Sequence, residues 1–268
     1  MILIFGANGM LGHYMCSILS SIDTIYPCTR KDFNIDMEDW SVLMELLHRY
    51  QPNIIVNCAG LIPQKGSHSI ASYFRVNTMF PHKLQKYCDQ SPCKLIHITT
   101  DCVYSGNKGF YCETECSDVT NIYGHSKYLG EPLNACVLRT SIIGEELSHK
   151  TSLLEWVCQQ KEINGYVNHH WNGVTCLTLS EIVKLIIQEN YFWKGVRHIH
   201  SPNSVSKYEL CKMIAHVYEL NISVIPYQDK KAINRTLNSL YPIFYIKPIE
   251  DQLKKQKEFQ LCNPNISY

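Results

Sequence analysis

The chain has 268 residues, of which 45% are hydrophobic and 18% charged, and its formal net charge is +1. This composition supplies a full apolar core and excludes an intrinsically disordered chain. The small net charge argues against nucleic acid or a membrane surface as a partner, and no apolar stretch reaches the length of a membrane span.

Apolar runs and helical patterns alternate through the first half of the chain. Strands are predicted over Met1–Phe5, Thr24–Cys28, Ile54–Asn57, Leu95–Thr99 and Cys136–Thr140, and helices over Met10–Ser20, Met37–Tyr50, Ile70–Asp89 and Asn121–Glu131. Strands that are apolar throughout and separated by helices indicate an α/β fold with a doubly wound parallel sheet of the Rossmann type. Because the N-terminus is itself a strand, we expect no targeting segment and a cytoplasmic protein.

The second half has a less regular pattern. Helices are predicted over Leu177–Gln188, Lys207–Leu220 and, at the surface, Glu250–Leu261, and short strands over Val196–His200 and Ile222–Pro226. We therefore expect a dinucleotide-binding Rossmann domain over residues 1–143, to which residues 175–201 return. A smaller C-terminal substrate lobe is expected over 144–174 and 202–268.

Three glycines follow the first strand at G-x-x-G-x-x-G spacing, in the segment Gly6-Ala7-Asn8-Gly9-Met10-Leu11-Gly12. The first glycine permits a tight turn, the second lets the backbone approach a pyrophosphate, and the third lets the next helix pack on the sheet. An ordinary strand-to-helix turn is the alternative. The position of the motif, after one strand and before a helical pattern, favours a dinucleotide cradle.

The end of the second strand bears on the choice of cofactor. The sequence there is Thr29-Arg30-Lys31-Asp32, so the first charges are positive. A basic residue at this point accommodates a 2′-phosphate, which favours NADP(H) over NAD(H). The alternative is that Arg30 and Lys31 form a solvated loop. Asp36 is expected to cap the next helix or to contact the adenine side.

Tyr123 and Lys127 are spaced i and i+4, which puts both on one helix face. An ammonium beside a phenol lowers the pKa of the phenol and makes it a usable proton donor. The same spacing recurs at Tyr104/Lys108, Tyr208/Lys212 and Tyr227/Lys231. Only Tyr123/Lys127 begins a helix after a strand that ends in Thr99-Thr100-Asp101, the edge of a parallel sheet where ligands bind.

At these residues the chain resembles the extended short-chain dehydrogenase/reductases, and within them the dTDP-4-dehydrorhamnose reductase branch. The matching segments are His97–Gly106, Tyr111–Glu115 and Tyr123–Glu131. Asn57-Cys58-Ala59-Gly60 resembles the segment beneath the nicotinamide ribose, and Asn77 the helix asparagine of the family. Thr99 stands where the branch has serine and Cys102 where it has an aromatic residue, whereas Thr100 keeps the catalytic threonine.

The resemblance implies hydride transfer from a nicotinamide to the C4 carbonyl of a nucleotide-linked 4-keto-6-deoxy sugar. It implies that Tyr123 donates a proton to the developing alkoxide, Thr100 donates a hydrogen bond to the same oxygen, and Lys127 assists Tyr123. The glycine segment, the second strand end and the resemblance together give these cofactor-binding residues: Gly6, Asn8, Gly9, Met10, Leu11, Gly12, Arg30, Asp36, Cys58, Ala59, Gly60, Asn77, Thr99, Tyr123 and Lys127.

Two segments of the second half bear on the substrate. Trp171–Thr175 resembles a segment of reductases that act on UDP-linked 2-acetamido-2,6-dideoxy-hexos-4-uloses, and Asn234–Leu237 resembles the stretch where the branch places an arginine. The predicted substrate-binding residues are Asp101, Cys102, Val103, Trp171 and Arg235. Arg235 is the candidate for the diphosphate, since a guanidinium suits phosphate. Two alternatives stay open: Arg139 pairs with the diphosphate or is structural, and Trp171 stacks on the sugar or uracil or packs in a core.

Other functions are weighed against this one. An epimerase, or a combined epimerase and reductase, would need an acid/base such as Cys58, Cys102 or His125. A 4,6-dehydratase is disfavoured because Cys102 follows Asp101 where a glutamate is common. A non-catalytic NADP-binding regulatory subunit has no need for the intact Thr100, Tyr123 and Lys127. The family makes a homodimer plausible, and the histidines lack the spacing of a metal site.

Overall fold

Strands and helices alternate along the chain, and the computed structural model describes residues 1–66, 68–148 and 150–263. The strands are β1 (Ile2–Phe5), β2 (Ile25–Cys28), β3 (Ile54–Asn57), β4 (Lys94–Thr100), β5 (Cys136–Thr140), β6 (Ile142–Ile143), β7 (Glu162–Tyr166), β8 (His169–Trp171), β9 (Val174–Thr175), β10 (Gly195–His198), β11 (Val205–Ser206), β12 (Ser223–Tyr227) and β13 (Ile233–Asn234). The helices are α1 (Gly12–Leu19), α2 (Trp40–Tyr50), α3 (Ile70–Phe74), α4 (Phe80–Asp89), α5 (Ile122–Tyr128), α6 (Leu153–Cys158), α7 (Cys176–Gln188), α8 (Lys207–Val217) and α9 (Ile249–Cys262).

The main sheet consists, in the described part of the chain, of six parallel strands in the order β10-β5-β4-β3-β1-β2. Ile2 of β1 lies opposite Ile25 on one side and Ile54 on the other. Strands β2 and β3 therefore pair with opposite edges of β1, and the chain crosses from one side of β1 to the other between them. A ligand crevice forms at such a reversal, beyond the carboxyl ends of the strands. The predicted α/β, doubly wound parallel sheet is confirmed.

Alternate residues of the strands supply the two faces of the core. Ile2 and Ile4 pack in an apolar cluster with residues of α1 and α7, whereas Leu3 and Phe5 pack with residues of α2 and α4. Because both faces are covered by helices, the strands have no polar face. This accounts for the continuous apolar runs by which the strands were predicted.

The predicted helical stretch Ile70–Asp89 is confirmed, but it is not α-helical throughout. The residues Arg75–Met79 form a π-helical turn between α3 and α4. Pro81 follows this turn as the second residue of α4, and because proline has no N–H it cannot donate a helical hydrogen bond to the preceding turn. The π turn carries Asn77, which is buried and faces the strand-end loops.

A separate apolar cluster lies outside the main sheet, and it is formed by α6, α8, α9 and the short strands around them. These strands pair in three small sheets, β11-β8-β13, β12-β7 and β6-β9. The strand predicted at Val196–His200 is β10, which pairs with β5 in the main sheet. The proposed domain boundaries stay a prediction, and residues 149 and 264–268 of the proposed lobe lie outside the described residues.

The last helix, α9, lies at the surface as predicted, with one face exposed and the other packed against the rest of the chain. Ile249 and Leu253 are buried, and three glutamines at four-residue intervals reach neighbouring elements. Gln252 Oε1 accepts from the Thr175 N–H at 3.1 Å, Gln256 Oε1 accepts from the Leu177 N–H at 3.2 Å, and Gln260 Nε2 donates to the Tyr14 hydroxyl at 2.5 Å. The predicted surface helix is therefore present, and its inner face is bonded to the rest of the chain. Among the described residues, no helix is both long and apolar enough to cross a bilayer.

Candidate active site

The glycine segment forms a close turn between β1 and α1. Gly6 has φ +75°, and the Gly9 N–H donates to the Gly6 carbonyl at 2.9 Å. A Cβ on Gly12 would lie 2.0 Å from the Gly6 oxygen, and one on Gly6 would lie 2.9 Å from the Ala59 nitrogen. The turn therefore brings α1, β1 and the loop after β3 together, at distances that only glycine allows.

The donor groups of this turn suit a diphosphate. Within the described residues, the backbone N–H groups of Asn8, Met10 and Leu11 donate to no protein acceptor. They lie at the N-terminal end of α1, where the helix dipole favours an anion. Free N–H donors next to a cradle that a Cβ would fill are what a dinucleotide pyrophosphate requires, so these residues fit the cofactor.

In the loop after β2, Arg30 faces solvent, whereas the carboxylate of Asp32 is bonded within the loop. Arg30 is exposed, whereas the Asp32 carboxylate accepts from the Thr29 N–H and hydroxyl, both at 2.8 Å, and from Tyr26. Asp39, and not Asp36, caps α2, with its side chain accepting from the Ser41 N–H at 2.8 Å. The predicted cap at Asp36 is therefore wrong, and the Asp36 N–H instead donates to the Asn34 side chain.

The loop after β3 is held by two buried asparagines. Asn57 Oδ1 accepts from the Ala59 N–H at 3.1 Å, and this loop also contains Cys58 and Gly60. Asn77 accepts from the Leu61 N–H at 2.8 Å and donates to the Leu61 carbonyl and to Ser126 Oγ, both at 3.0 Å. Asn77 therefore fixes this loop against α5, which carries the two residues predicted to act with the nicotinamide.

Three predicted catalytic side chains meet at the end of β4. Asn121 caps α5 by accepting from the Gly124 N–H at 2.9 Å, which sets the start of the helix that presents Tyr123 and Lys127. Thr100 is the last residue of β4, and its hydroxyl lies close enough to the Tyr123 phenol to lower the pKa of that phenol against the larger effect of burial. That hydroxyl also accepts from the Cys102 N–H at 3.1 Å and donates to Asp101 Oδ1 at 3.2 Å.

The protonation of this group differs from the prediction. Burial is the main cause that raises the pKa of Tyr123, with a further contribution from the neighbouring Cys102. The expectation that Lys127 lowers the pKa of Tyr123 is therefore wrong, because Lys127 Nζ donates instead to the Ile98 carbonyl at 3.0 Å. Burial lowers the pKa of Lys127 to about 8. The phenol is accordingly protonated at neutral pH, as a proton donor must be.

Thr99 precedes Thr100 in β4, so its side chain lies on the opposite face of the sheet. It is buried, and its Oγ1 has no hydrogen-bond partner among the residues described. Val103 is likewise fully buried, in a small apolar cluster with Tyr104, Tyr111 and Leu237. Direct contact of the Val103 side chain with a substrate is therefore not what this packing favours.

The side of Thr100 that faces the second half of the chain is charged. Asp101 is buried, and burial raises its pKa while the cations of Arg235 and Lys207 lower it. Burial also raises the pKa of the Cys102 thiol to about 12. Arg235 is anchored by a hydrogen bond from its Nε to the Tyr104 carbonyl at 2.9 Å. Three predicted substrate residues, Asp101, Cys102 and Arg235, are thus brought together.

Trp171 lies beside this charged group but is largely core. Only 5% of its surface is exposed, and its Nε1 donates to Ser141 Oγ at 2.8 Å. The Nζ of Lys207 lies 5.2 Å from the centre of the Trp171 ring. Lys207 was not predicted, because nothing in its sequence context distinguishes it from a surface lysine.

Arg139 belongs to a buried network. Its Nε and Nη2 donate to the two carboxylate oxygens of Glu131 at 3.0 and 2.5 Å, and its Nη1 donates to the Tyr104 hydroxyl at 2.6 Å. The side chains of Arg139 and Glu131 are 4% and 5% exposed. Of the two alternatives left open for Arg139, these contacts support the structural one.

Comparison with known proteins identifies relatives over most of the chain. The family model described as the RmlD substrate binding domain matches residues 1–257. A dTDP-4-keto-6-deoxy-D-glucose reductase of Streptomyces niveus is 26% identical over 79% of this chain and 76% of its own length. The methionine adenosyltransferase 2 subunit beta of Rattus norvegicus is 25% identical over 87% of this chain and 76% of its own length.

A solved structure shows the same fold. The dTDP-4-dehydrorhamnose reductase of Bacillus anthracis, solved in complex with NADP, has a TM-score of 0.83 at 21% identity. The match covers 96% of this chain and 98% of that one. The similarity extends over both the main sheet and the smaller unit beside it.

Proposed function

The chain belongs to the RmlD substrate binding domain family, as its motifs predicted, and we propose that it is an NADPH-dependent sugar-nucleotide reductase. The substrate class is a nucleotide-linked 4-keto-6-deoxy sugar, and the reaction reduces its C4 carbonyl. The observation that carries the proposal is the contact of the Thr100 and Tyr123 hydroxyls at the end of β4, beside Lys127. The names of the Streptomyces and Bacillus relatives support the same reaction.

The cofactor is proposed to be NADP(H). The N–H groups of Asn8, Met10 and Leu11 would hold the diphosphate, the exposed Arg30 suits a 2′-phosphate, and the loop Cys58–Gly60 would lie along the nicotinamide ribose. When bound, the nicotinamide supplies the hydride. The Bacillus relative was solved with NADP, which supports this choice over NAD(H).

Each catalytic residue has one role in this proposal. Tyr123 donates its phenolic proton to the C4 oxygen, and its raised pKa keeps that proton in place until the oxygen becomes basic. Thr100 exchanges its hydrogen bond with Asp101 for one to the same oxygen. Lys127 offers its ammonium to the ribose hydroxyls, close to Gly60, where a Cβ would lie 3.7 Å from Nζ. Preorganised donors of this kind stabilise the developing charge.

The proposal is tested by turnover. Purified protein is incubated with NADPH and with UDP- or dTDP-4-keto-6-deoxyglucose, and the decrease in NADPH absorbance is followed. We expect turnover by the wild type and a decrease in kcat of about 10²-fold or more in Tyr123→Phe, since general acid catalysis contributes about that much. Tyr128→Phe, on the same helix with an exposed side chain, is the matched control and keeps full activity.

A second candidate is a regulatory subunit that binds NADP(H) without turnover. The similarity to methionine adenosyltransferase 2 subunit beta favours it. NADPH binding without consumption of any 4-keto sugar, together with identical behaviour of wild type and Tyr123→Phe, supports this candidate and contradicts the reductase. Acid/base chemistry at Cys102 in an added epimerisation would instead appear as solvent deuterium in the sugar ring.

The other assignments follow from the reductase proposal. We propose a cytoplasmic homodimer, with residues 1–143 and 175–201 as the nucleotide-binding unit and the remainder as the substrate lobe. Light scattering of the purified protein tests the dimer. Partial proteolysis with and without NADPH tests the division, because bound cofactor protects the nucleotide-binding unit first.

A further inference from the structure

Lys207 is held rigidly at the start of α8. Ser206 caps this helix: its hydroxyl accepts from the Glu209 N–H at 3.1 Å, and its own N–H donates to Glu209 Oε2 at 2.7 Å. Reciprocal bonds of this kind fix the first turn of a helix. Lys207 is the first residue of that turn, so the base of its side chain has little freedom.

Helix α8 belongs to the apolar cluster outside the main sheet, and the ammonium of its Lys207 points toward the end of β4. Its Nζ covers the ring of Trp171 at 5.2 Å, and Asp101, Cys102 and Arg235 all act on its charge. Asp101 follows Thr100 directly in the chain. Lys207 therefore lies on the substrate side of the catalytic hydroxyls and not on the side of the glycine turn.

The charge of Lys207 has no direct ion-pair partner among the described residues. Burial lowers its pKa and the more distant Asp101 raises it, while Nζ donates no hydrogen bond and takes part in no ion pair in the described part of the chain. A half-buried ammonium without a partner is costly, and an apolar side chain would pack better on Trp171. Arg235, by contrast, is anchored to the Tyr104 carbonyl. Lys207 keeps three donors available to a ligand.

A cation at this position would offset the negative charge of the Asp101 carboxylate. Its Oδ1 accepts a hydrogen bond of 3.2 Å from the Thr100 hydroxyl, and that hydroxyl is proposed to contact the C4 oxygen. A negative charge so close to a developing alkoxide opposes the reaction. Lys207 and Arg235 offset that charge. Arg235 is tied to the Tyr104 carbonyl through its Nε, whereas the ammonium of Lys207 donates to no acceptor in the described part of the chain.

We propose that Lys207 is a substrate-binding residue of the reductase, resting on the function proposed above. Its ammonium donates hydrogen bonds to oxygen substituents of the pyranose ring beside the keto carbon, and it offsets the Asp101 carboxylate as the C4 oxygen gains charge. The site thus selects sugars that keep a hydroxyl next to the ketone, the C3 hydroxyl being the nearest neighbour of C4.

The test compares Lys207→Met with Lys212→Met. Lys212 lies on the same helix, is exposed and also covers an aromatic ring, that of Tyr208 at 5.4 Å. For Lys207→Met we expect a KM for the 4-keto sugar at least about tenfold higher and a lower kcat, since a charged hydrogen bond is lost. The Kd for NADPH stays within about twofold and Tm does not fall. Lys212→Met matches the wild type.

A second change separates binding from folding. In Asp101→Asn/Lys207→Met the uncompensated carboxylate is gone, so part of the kcat lost in Lys207→Met returns. Wild-type kcat and KM in Lys207→Met overturn the proposal, and so does a loss of NADPH affinity equal to the loss of sugar affinity. A 3-deoxy-4-keto sugar should show no penalty from Lys207→Met, and an undiminished penalty overturns the assignment to the C3 hydroxyl.

The proposal is also judged without turnover. If the wild type reduces no 4-keto sugar, the reductase proposal fails, and calorimetry with dTDP-L-rhamnose and UDP-L-rhamnose in the presence of NADP⁺ decides about Lys207. At least about tenfold weaker binding by Lys207→Met than by Lys212→Met supports the site. Equal affinities overturn it.

Discussion

Replacing Gly12 by alanine should damage both the cofactor site and the packing of the first helix. The added Cβ would lie 2.0 Å from the Gly6 oxygen, 2.7 Å from the Gly6 carbonyl carbon and 2.8 Å from the Ala7 Cα. All three are backbone atoms, so no side chain can rotate to make room. Restoring ordinary contact near 3.4 Å requires α1 to withdraw from the turn by more than about 1 Å.

The cost follows from that displacement. Overpacking of a well-packed core typically costs about 1–3 kcal/mol, and alanine returns up to about 1 kcal/mol of helix propensity. In a chain of this size each kcal/mol lowers Tm by about 2–4 °C, so a decrease of several degrees is expected. The same movement tilts the N–H groups of Met10 and Leu11 away from the diphosphate, and we expect NADPH affinity to decrease at least about tenfold.

Thermal unfolding followed by circular dichroism measures the first effect, and titration of NADPH fluorescence measures the second. Ser17→Ala, on the same helix with a half-buried side chain, is the control and should change neither. If Gly12→Ala has the wild-type Tm and NADPH affinity, α1 and the glycine turn are not in tight contact, and the turn does not position the N–H groups for the diphosphate.

Three further predictions concern the interior of the site. Because burial lowers the pKa of Lys127 to about 8, its proton is lost as the pH rises through that value, so kcat/KM should be level below about pH 7 and fall about tenfold per unit above about pH 8. A level profile up to about pH 10 contradicts the role of this ammonium. Arg139→Met leaves the Glu131 carboxylate buried and unpaired. The free energy of unfolding in urea should therefore decrease by about 3–5 kcal/mol, with little change in the KM for the sugar. A raised KM at unchanged stability would instead support binding of the diphosphate by Arg139. Asn77→Ala removes three buried hydrogen bonds and should lower both Tm and NADPH affinity, whereas unchanged NADPH affinity would show that the loop at Leu61 holds its position without them.

The nucleotide-binding half was the more predictable part. Strands β3 and β5 begin and end where they were predicted, because residues buried on both faces leave continuous apolar runs in the sequence. The turn could be predicted from the glycine spacing, because Gly6 and Gly12, which are in contact, are also close in the sequence. The π turn at Arg75–Met79 was not predicted, because it changes hydrogen bonding without changing which residues are apolar.

The substrate side was less predictable because its contacts are distant in the sequence. Strands β6 and β9 have two residues each and pair only across a long separation, so they carry no periodic pattern. Lys207 is far from Asp101 in the sequence, and only the folding of the second half of the chain brings their charges near each other. The raised pKa of Tyr123 was missed for a related reason, since spacing shows that Lys127 shares a helix face but does not show that its ammonium is bound to Ile98.

The three glutamines of α9 limit how the molecule can move. Gln252 and Gln256 bond the chain where it enters α7, and Gln260 bonds α1 through Tyr14. The final helix thus clamps the substrate-facing unit to the helix that follows the glycine turn. A hinge motion that opens the crevice would break these three hydrogen bonds. A sugar nucleotide should therefore enter by rearrangement of surface loops, while the elements joined by α9 keep their relative positions.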